Sequence, residues 1–318
     1  MLDPNIKGLL DAGREAGAPA LTQMGRDATR DMIRSLSGAG GTGSPADVEV
    51  RQLDAGGAAG PIPARLYTPA HVAAPAGVVY YHGGGFTLGD LDTYEEMMRR
   101  LAAASGLRIL AIEYRLAPEH RFPAGHDDAL AAADWALANA ASLGFAPGVL
   151  MLAGDSAGGN LAASTAIAFR DRGSKAIVYQ ALLYPWLRIA GETPSLIENA
   201  DGYLLTRADL DTFAHDTFAT DADRNDPRVA ILATVKADGL PPAFIATAGY
   251  DPLRDEGLAY ARKLEAAGVA VEAKHYPQFV HAFYLLTGVT PAAQAAIDEL
   301  GAALRAAAMA LQPQTAAT

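Results

Sequence analysis

Cysteine is missing from all 318 residues. Disulfides, thiolate metal sites and a cysteine nucleophile are therefore excluded. The absence is neutral about compartment but suits a reducing cytosol. Basic residues are outnumbered: 25 lysines and arginines face 36 acidic residues, a formal net charge of −11. No long Lys/Arg run occurs, and phosphate binding needs a concentrated basic face, so no nucleic-acid partner is expected. No stretch reaches the roughly 20 uncharged apolar residues of a membrane span. The N-terminus, MLDPNIKGLL, has acid and proline where a secretory signal needs a basic start and an apolar run. A soluble, cytoplasmic protein is expected.

Half of the residues are hydrophobic (50%), enough for a large core, and one α/β domain with insertions fits the length. Segments 48–53 and 62–67 have strand character and are joined by a turn carrying Gly56, Gly57 and Gly60, as in an antiparallel hairpin. Short apolar runs follow at 77–81, 107–112, 149–153, 176–184, 243–247 and 269–275. Helical spacings at 93–104, 124–141, 158–170, 256–267 and 291–311 alternate with them. This alternation predicts an α/β fold: a mostly parallel central sheet with helices on both faces. It breaks at about 188–228, a polar and aromatic stretch with a helical piece at 207–218, which reads as an inserted lid. The segment before about residue 46 is helix-prone and ends in a Gly/Ser-rich loop at 37–45. It either lies beside the insertion or pads the sheet.

The sharpest chemical signal is Gly154-Asp155-Ser156-Ala157-Gly158, between an apolar run and a helix. That is the strand–turn–helix setting of a nucleophile elbow, where small flanking residues avoid collision with strand and helix. Ser156 would project its hydroxyl above the sheet, over a helix N-terminus that favours developing negative charge. His82-Gly83-Gly84-Gly85 follows the run 77–81. Three glycines leave backbone N–H groups unobstructed, as an oxyanion hole needs. The N–H groups of Gly84, Gly85 and Ala157 are the expected donors. Gly83 would allow the turn, and His82 would fix the loop through its ring nitrogens. Neither Gly-Lys-Ser/Thr nor a G-x-G-x-x-G opening a helix marks this loop as a phosphate site.

A serine hydroxyl needs a base, and in this arrangement the chain order is Ser, acid, His. His215, His275 and His281 follow Ser156. His215 lies in the insertion, and His275 sits inside the run 269–275, so His281, in a loop beyond Pro277, is the expected base. Carboxyl ends of parallel strands share one edge, which puts that loop beside the elbow. Asp251, just after the run 243–247, is the expected acid, with Asp255 as fallback. Asp255 and Glu256 read as first-turn helix residues, and Asp238 lies at the wrong edge. The acid would hold the imidazole tautomer.

These residues stand within Tyr81-His82-Gly83-Gly84-Gly85-Phe86, Tyr114-Arg115-Leu116-Ala117-Pro118-Glu119, Gly154-Asp155-Ser156-Ala157-Gly158-Gly159 and Asp251-Pro252-Leu253-Arg254-Asp255-Glu256. In these motifs and their order the chain resembles the hormone-sensitive-lipase family of α/β-hydrolases, in its bacterial esterase branch, from about Val48 onward. The resemblance implies an α/β-hydrolase fold and cofactor-free hydrolysis of short- to medium-chain acyl esters. It implies a catalytic domain over 47–318 and a helical cap built from residues 1–46 and the insertion. It also implies a homodimer through an edge strand near the last strand, and support of the site by residues 114–119. Two departures stand out. His281 is followed by Ala282-Phe283 rather than Gly-Phe, and Gln278 occupies a position where a glycine often precedes the histidine.

Phe86, Leu88, Tyr184, Tyr203, Leu204, Phe213 and Val280 are candidate substrate-lining residues by placement. Amidase, deacetylase or thioesterase chemistry would use the same triad, and the sequence does not separate them. A binding protein on this scaffold would have lost the base or the nucleophile; here both stand. No H-E-x-x-H occurs, and the cluster Asp251, Asp255, Glu256 lacks histidine ligands at metal spacing, so no metal is expected. His126-Asp127-Asp128 reads as a charge feature at a helix start.

Overall fold

The computed structural model describes residues 1–18, 24–38, 45 and 47–311. Most of the Gly/Ser-rich loop expected at 37–45 lies outside the described residues. The central strands are continuous apolar runs because both of their faces are covered. β3 (Gly77–Tyr81) and β5 (Leu150–Asp155) are buried at every position. In β3 the two-residue strand period sends Val79 and Tyr81 into one core and Val78 and Tyr80 into the other.

β1 (Val48–Gly57), β2 (Gly60–Pro69), β4 (Arg108–Ile112), β6 (Ile177–Leu183), β7 (Ala243–Tyr250) and β8 (Val271–Val280) complete one eight-stranded sheet. Its order is β1-β2-β4-β3-β5-β6-β7-β8. The β1–β2 and β2–β4 pairs are antiparallel and all others parallel. α3 (Leu91–Ser105) and α12 (Pro291–Ala310) share one core, α4 (Ala124–Ala138), α6 (Ala157–Asp171) and α11 (Arg254–Ala266) the other. Helix ends follow local chemistry. Asp90 caps α3 by accepting from the Thr93 N–H, and Gly106, at φ 66°, ends it in the left-handed conformation.

α1 (Pro4–Glu15) is capped by Asp3, whose carboxylate accepts from the N–H groups of Asn5 and Ile6. It buries Ile6 completely. The Asp3 N–H donates to the Gln278 carbonyl on β8. From α2 (Arg26–Gly38), the Arg30 guanidinium donates to the Thr87 and Ala117 carbonyls and pairs with Glu119. The N-terminal segment therefore touches both the last strand and the loop after β3. Between β6 and β7 lie α7 (Pro194–Glu198), α8 (Arg207–Thr217), α9 (Asp221–Arg224) and α10 (Ile231–Thr234). α8 starts on a reciprocal capping box between Thr206 and Asp209. The helical pieces run past residue 228 to Thr234. No helix among the described residues is long and apolar enough to cross a membrane.

Two expectations need correction. The last strand continues through Pro277 to Val280 instead of ending near 275. β8 is an edge strand, where a proline without an N–H removes no ladder bond. The second concerns His126-Asp127-Asp128. Only Asp127 is partly exposed, paired with Arg228. Asp128 is fully buried, bonded to Arg115 and accepting from the Ala58 and Arg115 N–H groups. His126 is buried, with Nε2 at 3.0 Å from Asn160 Oδ1. Asn160 Nδ2 already donates to the Trp186 and Val229 carbonyls, so the imidazole is the donor to Oδ1. Three residues of one helical turn thus face different surroundings, and the apparent charge cluster is mostly core wiring.

Burial lowers His126 from 6.5 to about 4. Above pH 6.5 both folded and unfolded chains hold this ring neutral. As pH falls from 6.5 towards 4, the unfolded ring takes up a proton that the folded one refuses, so stability is lost across that window. At about 1.4 kcal/mol per pKa unit the loss is roughly 3 kcal/mol. Replacing His126→Gln should make urea-unfolding stability less steep between pH 7 and 4 by about that amount. Identical pH slopes for variant and parent would contradict the assignment.

Candidate active site

The strand-to-helix junction of β5 and α6 is built on close backbone approach. Ser156 sits there at φ 53°, ψ −119°, outside the regions a non-glycine residue usually adopts. Its N–H donates to the Leu183 carbonyl, and its own carbonyl accepts from Trp186. A Cβ on Gly158 would come within 1.9 Å of the Tyr81 carbonyl, and one on Gly154 within 2.3 Å of the Gly158 carbonyl. The glycines of the pentad are therefore required by packing, and the packing holds the strained serine in place.

His281 stands just beyond β8, and Asp251 just beyond β7. His281 Nδ1 lies 2.9 Å from Asp251 Oδ2, and its Nε2 lies 2.9 Å from Ser156 Oγ. All three side chains are buried, Asp251 completely. The Asp251 carboxylate takes the Nδ1–H, which leaves Nε2 of the neutral ring to accept the serine proton. The second carboxylate oxygen accepts from the Leu253 N–H, so the group is fixed at both ends. Asp255, the fallback, accepts instead from Ser195 N–H and Arg254. Ala282 takes φ 60°, a left-handed conformation that an alanine holds at a cost of about 1–2 kcal/mol. The departure from glycine after His281 therefore leaves that turn intact. Gln278 lies on β8 and offers its carbonyl to Asp3.

The loop after β3 turns through Gly84 at φ 114°, Gly85 at φ 60° and Phe86 at φ 62°. Its Gly84 carbonyl accepts from Thr87 and Leu88, while the N–H groups of Gly84 and Gly85 donate to no group among the described residues. Ala157 is the first residue of α6, where an N–H has no intrahelical acceptor. His82 fixes this loop with one ring nitrogen rather than two. Nδ1 donates to the Gly83 carbonyl at 2.7 Å, and Nε2 has no partner among the described residues. Burial lowers His82 to about 4, so the ring is neutral at physiological pH. Tyr114 stacks on it with ring centroids 4.4 Å apart and donates its hydroxyl to the His82 carbonyl. The Ala117 N–H donates to the Phe86 carbonyl. The segment 114–117 thus braces the glycine loop from behind.

Sequence reasoning missed two buried acids. Glu256 accepts from the Leu187 and Arg188 N–H groups and ties the start of the insertion to α11. Burial pushes its carboxyl well above the ordinary range, and the nearby Asp251 adds to the rise. Asp155, next to the serine, contacts Tyr80, Gly83 and Tyr94. Its signal was present as an acid at the end of an apolar run. Among the described residues no cluster of His, Cys, Asp and Glu is arranged to hold a metal ion.

Comparison with known proteins bears directly on this arrangement. A family profile described as alpha/beta hydrolase fold matches residues 78–285, more than half of the chain. The chain belongs to this family. Carboxylic ester hydrolase LipN of Mycobacterium tuberculosis is 41% identical over 314 residues, 96% of this chain and 83% of LipN. Carboxylesterase NlhH of the same species is 45% identical over 252 residues, covering 77% of this chain and 78% of NlhH. The solved ester-hydrolase EH1AB1 from the metagenome of Lake Arreo superposes with a TM-score of 0.91 at 39% identity, over 96% of this chain and 99% of that one. These relatives agree with the esterase branch of the hormone-sensitive-lipase type.

Within this α/β-hydrolase, the candidate lining residues separate. Phe86, Leu88 and Val280 are packed in the core, and Phe86 lies against Trp186, His126 and Phe218. Tyr184, at φ 36°, is buried with its ring 4.7 Å from that of His281. Tyr203 and Leu204 are partly exposed, and Phe213 of α8 presses on Gly85.

The close approaches sort two glycines by consequence. Gly158→Ala drives a Cβ into backbone, which cannot give way, and should cost more than about 4 kcal/mol or abolish folding. Gly85→Ala meets the buried Phe213 side chain at Cδ2, Cγ and Cβ, 2.3–2.9 Å away, at a left-handed φ. It should cost the left-handed penalty of about 1–2 kcal/mol plus the displacement of Phe213, less than a clash with backbone. Urea-unfolding curves of the two variants would check the ordering, and equal stabilities would refute it.

Proposed function

We propose that this α/β-hydrolase is a serine carboxylesterase with Ser156 as nucleophile, His281 as base and Asp251 as the acid that orients the base. The observation that supports it most is the His281 ring held 2.9 Å from both the serine hydroxyl and the carboxylate. The activities for which LipN, NlhH and EH1AB1 are named support the reaction class. Ser156 Oγ bonds to the ester carbonyl carbon as its proton passes to His281 Nε2. The carbonyl oxygen becomes an oxyanion facing the N–H groups of Gly84, Gly85 and Ala157, donors that need no reorganisation when charge develops. The tetrahedral species collapses, and the departing alkoxide takes the proton from His281. A water molecule then loses a proton to His281 and attacks the acyl-enzyme, and Ser156 leaves with that proton as the carboxylic acid is released. The acid keeps its negative charge throughout and stabilises the imidazolium.

The substrate class is short- to medium-chain acyl esters. Ser156 is only 7% exposed and Phe213 of α8 lies against Gly85, which supports a site roofed by the insertion. Residues 1–46 and the insertion act together as the cap, an assignment supported by Arg30 on the Thr87 carbonyl and by Glu256 on Leu187 and Arg188.

Short p-nitrophenyl esters should be turned over without added metal or cofactor. Ser156→Ala should lower kcat by about 10⁶, the loss in a comparable triad, with circular dichroism unchanged. A folded variant that keeps most of the activity would overturn the assignment. We also infer a homodimer through β8, the terminal strand of the sheet, whose Glu272, Ala273 and His275 are exposed. An unpaired edge is a ready template for a second strand. Sedimentation should give twice the chain mass, and Ala273→Pro should give the monomer. A monomeric parent protein would rule the dimer out.

A further inference from the structure

Asp155 is 1% exposed, and the mechanism above makes no use of it. Its Oδ1 accepts from the Tyr80 hydroxyl at 3.0 Å and from the Gly83 N–H at 2.8 Å, and its Oδ2 from the Tyr94 hydroxyl at 2.8 Å. The Gly83 N–H also reaches Tyr94 Oη at 3.0 Å. Asp155 immediately precedes Ser156, and Gly83 immediately precedes Gly84. A Cβ on Gly83 would lie 2.5 Å from Asp155 Oδ2, so glycine there admits the carboxylate. We propose that Asp155, as a carboxylate, is a positioning residue that sets the Gly84 and Gly85 amides in register with Ser156. The inference rests on the esterase reading and adds a second ionisable group to it.

The need for charge follows from the donors. Two are hydroxyls that can turn round; the third, the Gly83 N–H, cannot. A proton on Oδ1 turns the Tyr80 hydroxyl away towards Met97 Sδ and leaves the Gly83 N–H on a neutral, weaker acceptor. A proton on Oδ2 makes Tyr94 accept from Asp155 and Gly83 together and strands its own hydrogen. Burial raises the Asp155 carboxyl to about 6, against the lowering by Tyr94, Tyr80, His281 and Gly83. The tyrosines on every side, Tyr80, Tyr94, Tyr114 and Tyr184, are pushed well above their ordinary value by burial and stay protonated. As pH falls through about 6, Asp155 gains a proton and the loop loses its anchor. Loss of this anchor is then one source of acid inactivation.

Asp155→Asn keeps an acceptor for Gly83 and mimics the protonated state at every pH. At pH 8 its kcat should be about 10- to 100-fold below the parent, less than the loss of a whole oxyanion donor, with KM within about threefold. A trifluoromethyl ketone, whose adduct on Ser156 needs the same amides, should lose affinity by the same factor as kcat/KM. A purely electrostatic effect on His281 would shift the acid limb and leave the high-pH plateau intact; that result, or a kcat within about twofold of the parent, overturns the proposal. If the Asn variant fails to fold, Tyr94→Phe removes the shared hydroxyl while keeping the ring, and an unchanged kcat overturns it equally. Labelling of the parent by an organophosphonate separates the two readings. No label on Ser156 defeats the esterase assignment, whereas labelling with an undiminished variant defeats only the role of Asp155.

Discussion

Everything at the site depends on how closely the end of β3 approaches the first turn of α6. The Gly158 backbone lies so near the Tyr81 carbonyl that no side chain fits between them. This contact brings the glycine loop that follows β3 beside the serine that follows β5. It also fixes Ser156 in a conformation that would relax in a freer chain. The elbow's strain is held by neighbours on both sides: Leu183 accepts its N–H and Trp186 donates to its carbonyl. Interior packing is dense enough that such a contact has no slack to absorb a methyl group.

Around that junction the buried polar groups form wiring rather than a second site. His126 reaches Asn160, which reaches Trp186 and Val229. Asp128 holds Arg115, whose neighbour Tyr114 stacks on His82. Each of these buries a donor or acceptor that would be costly unpaired. Their shared effect is to immobilise the glycine loop from behind, where a flexible loop would have to be ordered at each turnover.

The insertion and the N-terminal segment are attached at specific points. Glu256 takes the N–H groups of Leu187 and Arg188, and Asn199 reaches the Asp251 carbonyl. The root of the insertion is thereby tied to the same loop that carries the acid. On the other side Arg30 holds Thr87, whose N–H bonds the Gly84 carbonyl. Both attachments end within a few residues of groups assigned to the chemistry, so movement of either segment is mechanically linked to the site.

The sequence by itself determined the α/β class, the strand–helix alternation and the elbow, because buried strands must be apolar throughout and glycine is demanded where backbones touch. It also singled out Ser156, His281 and Asp251, through chain order and the rule that parallel strands end on one edge, and their side chains lie in one hydrogen-bonded row. Only the tertiary structure decided which neighbours of those residues are wired to them. Asp255 and Asp251 look alike in one dimension, but one meets Ser195 and the other His281. His126 and Asp128 resemble surface charge until α4 is packed against α6 and Arg115. Pro277 reads as a strand end until β8 is known to be the edge. The physical reason is common to all of these. Local pattern reports which face of an element is apolar, whereas pairing of a polar group depends on residues from 13 to more than 100 positions away, as with Arg115 to Asp128 and His281 to Ser156.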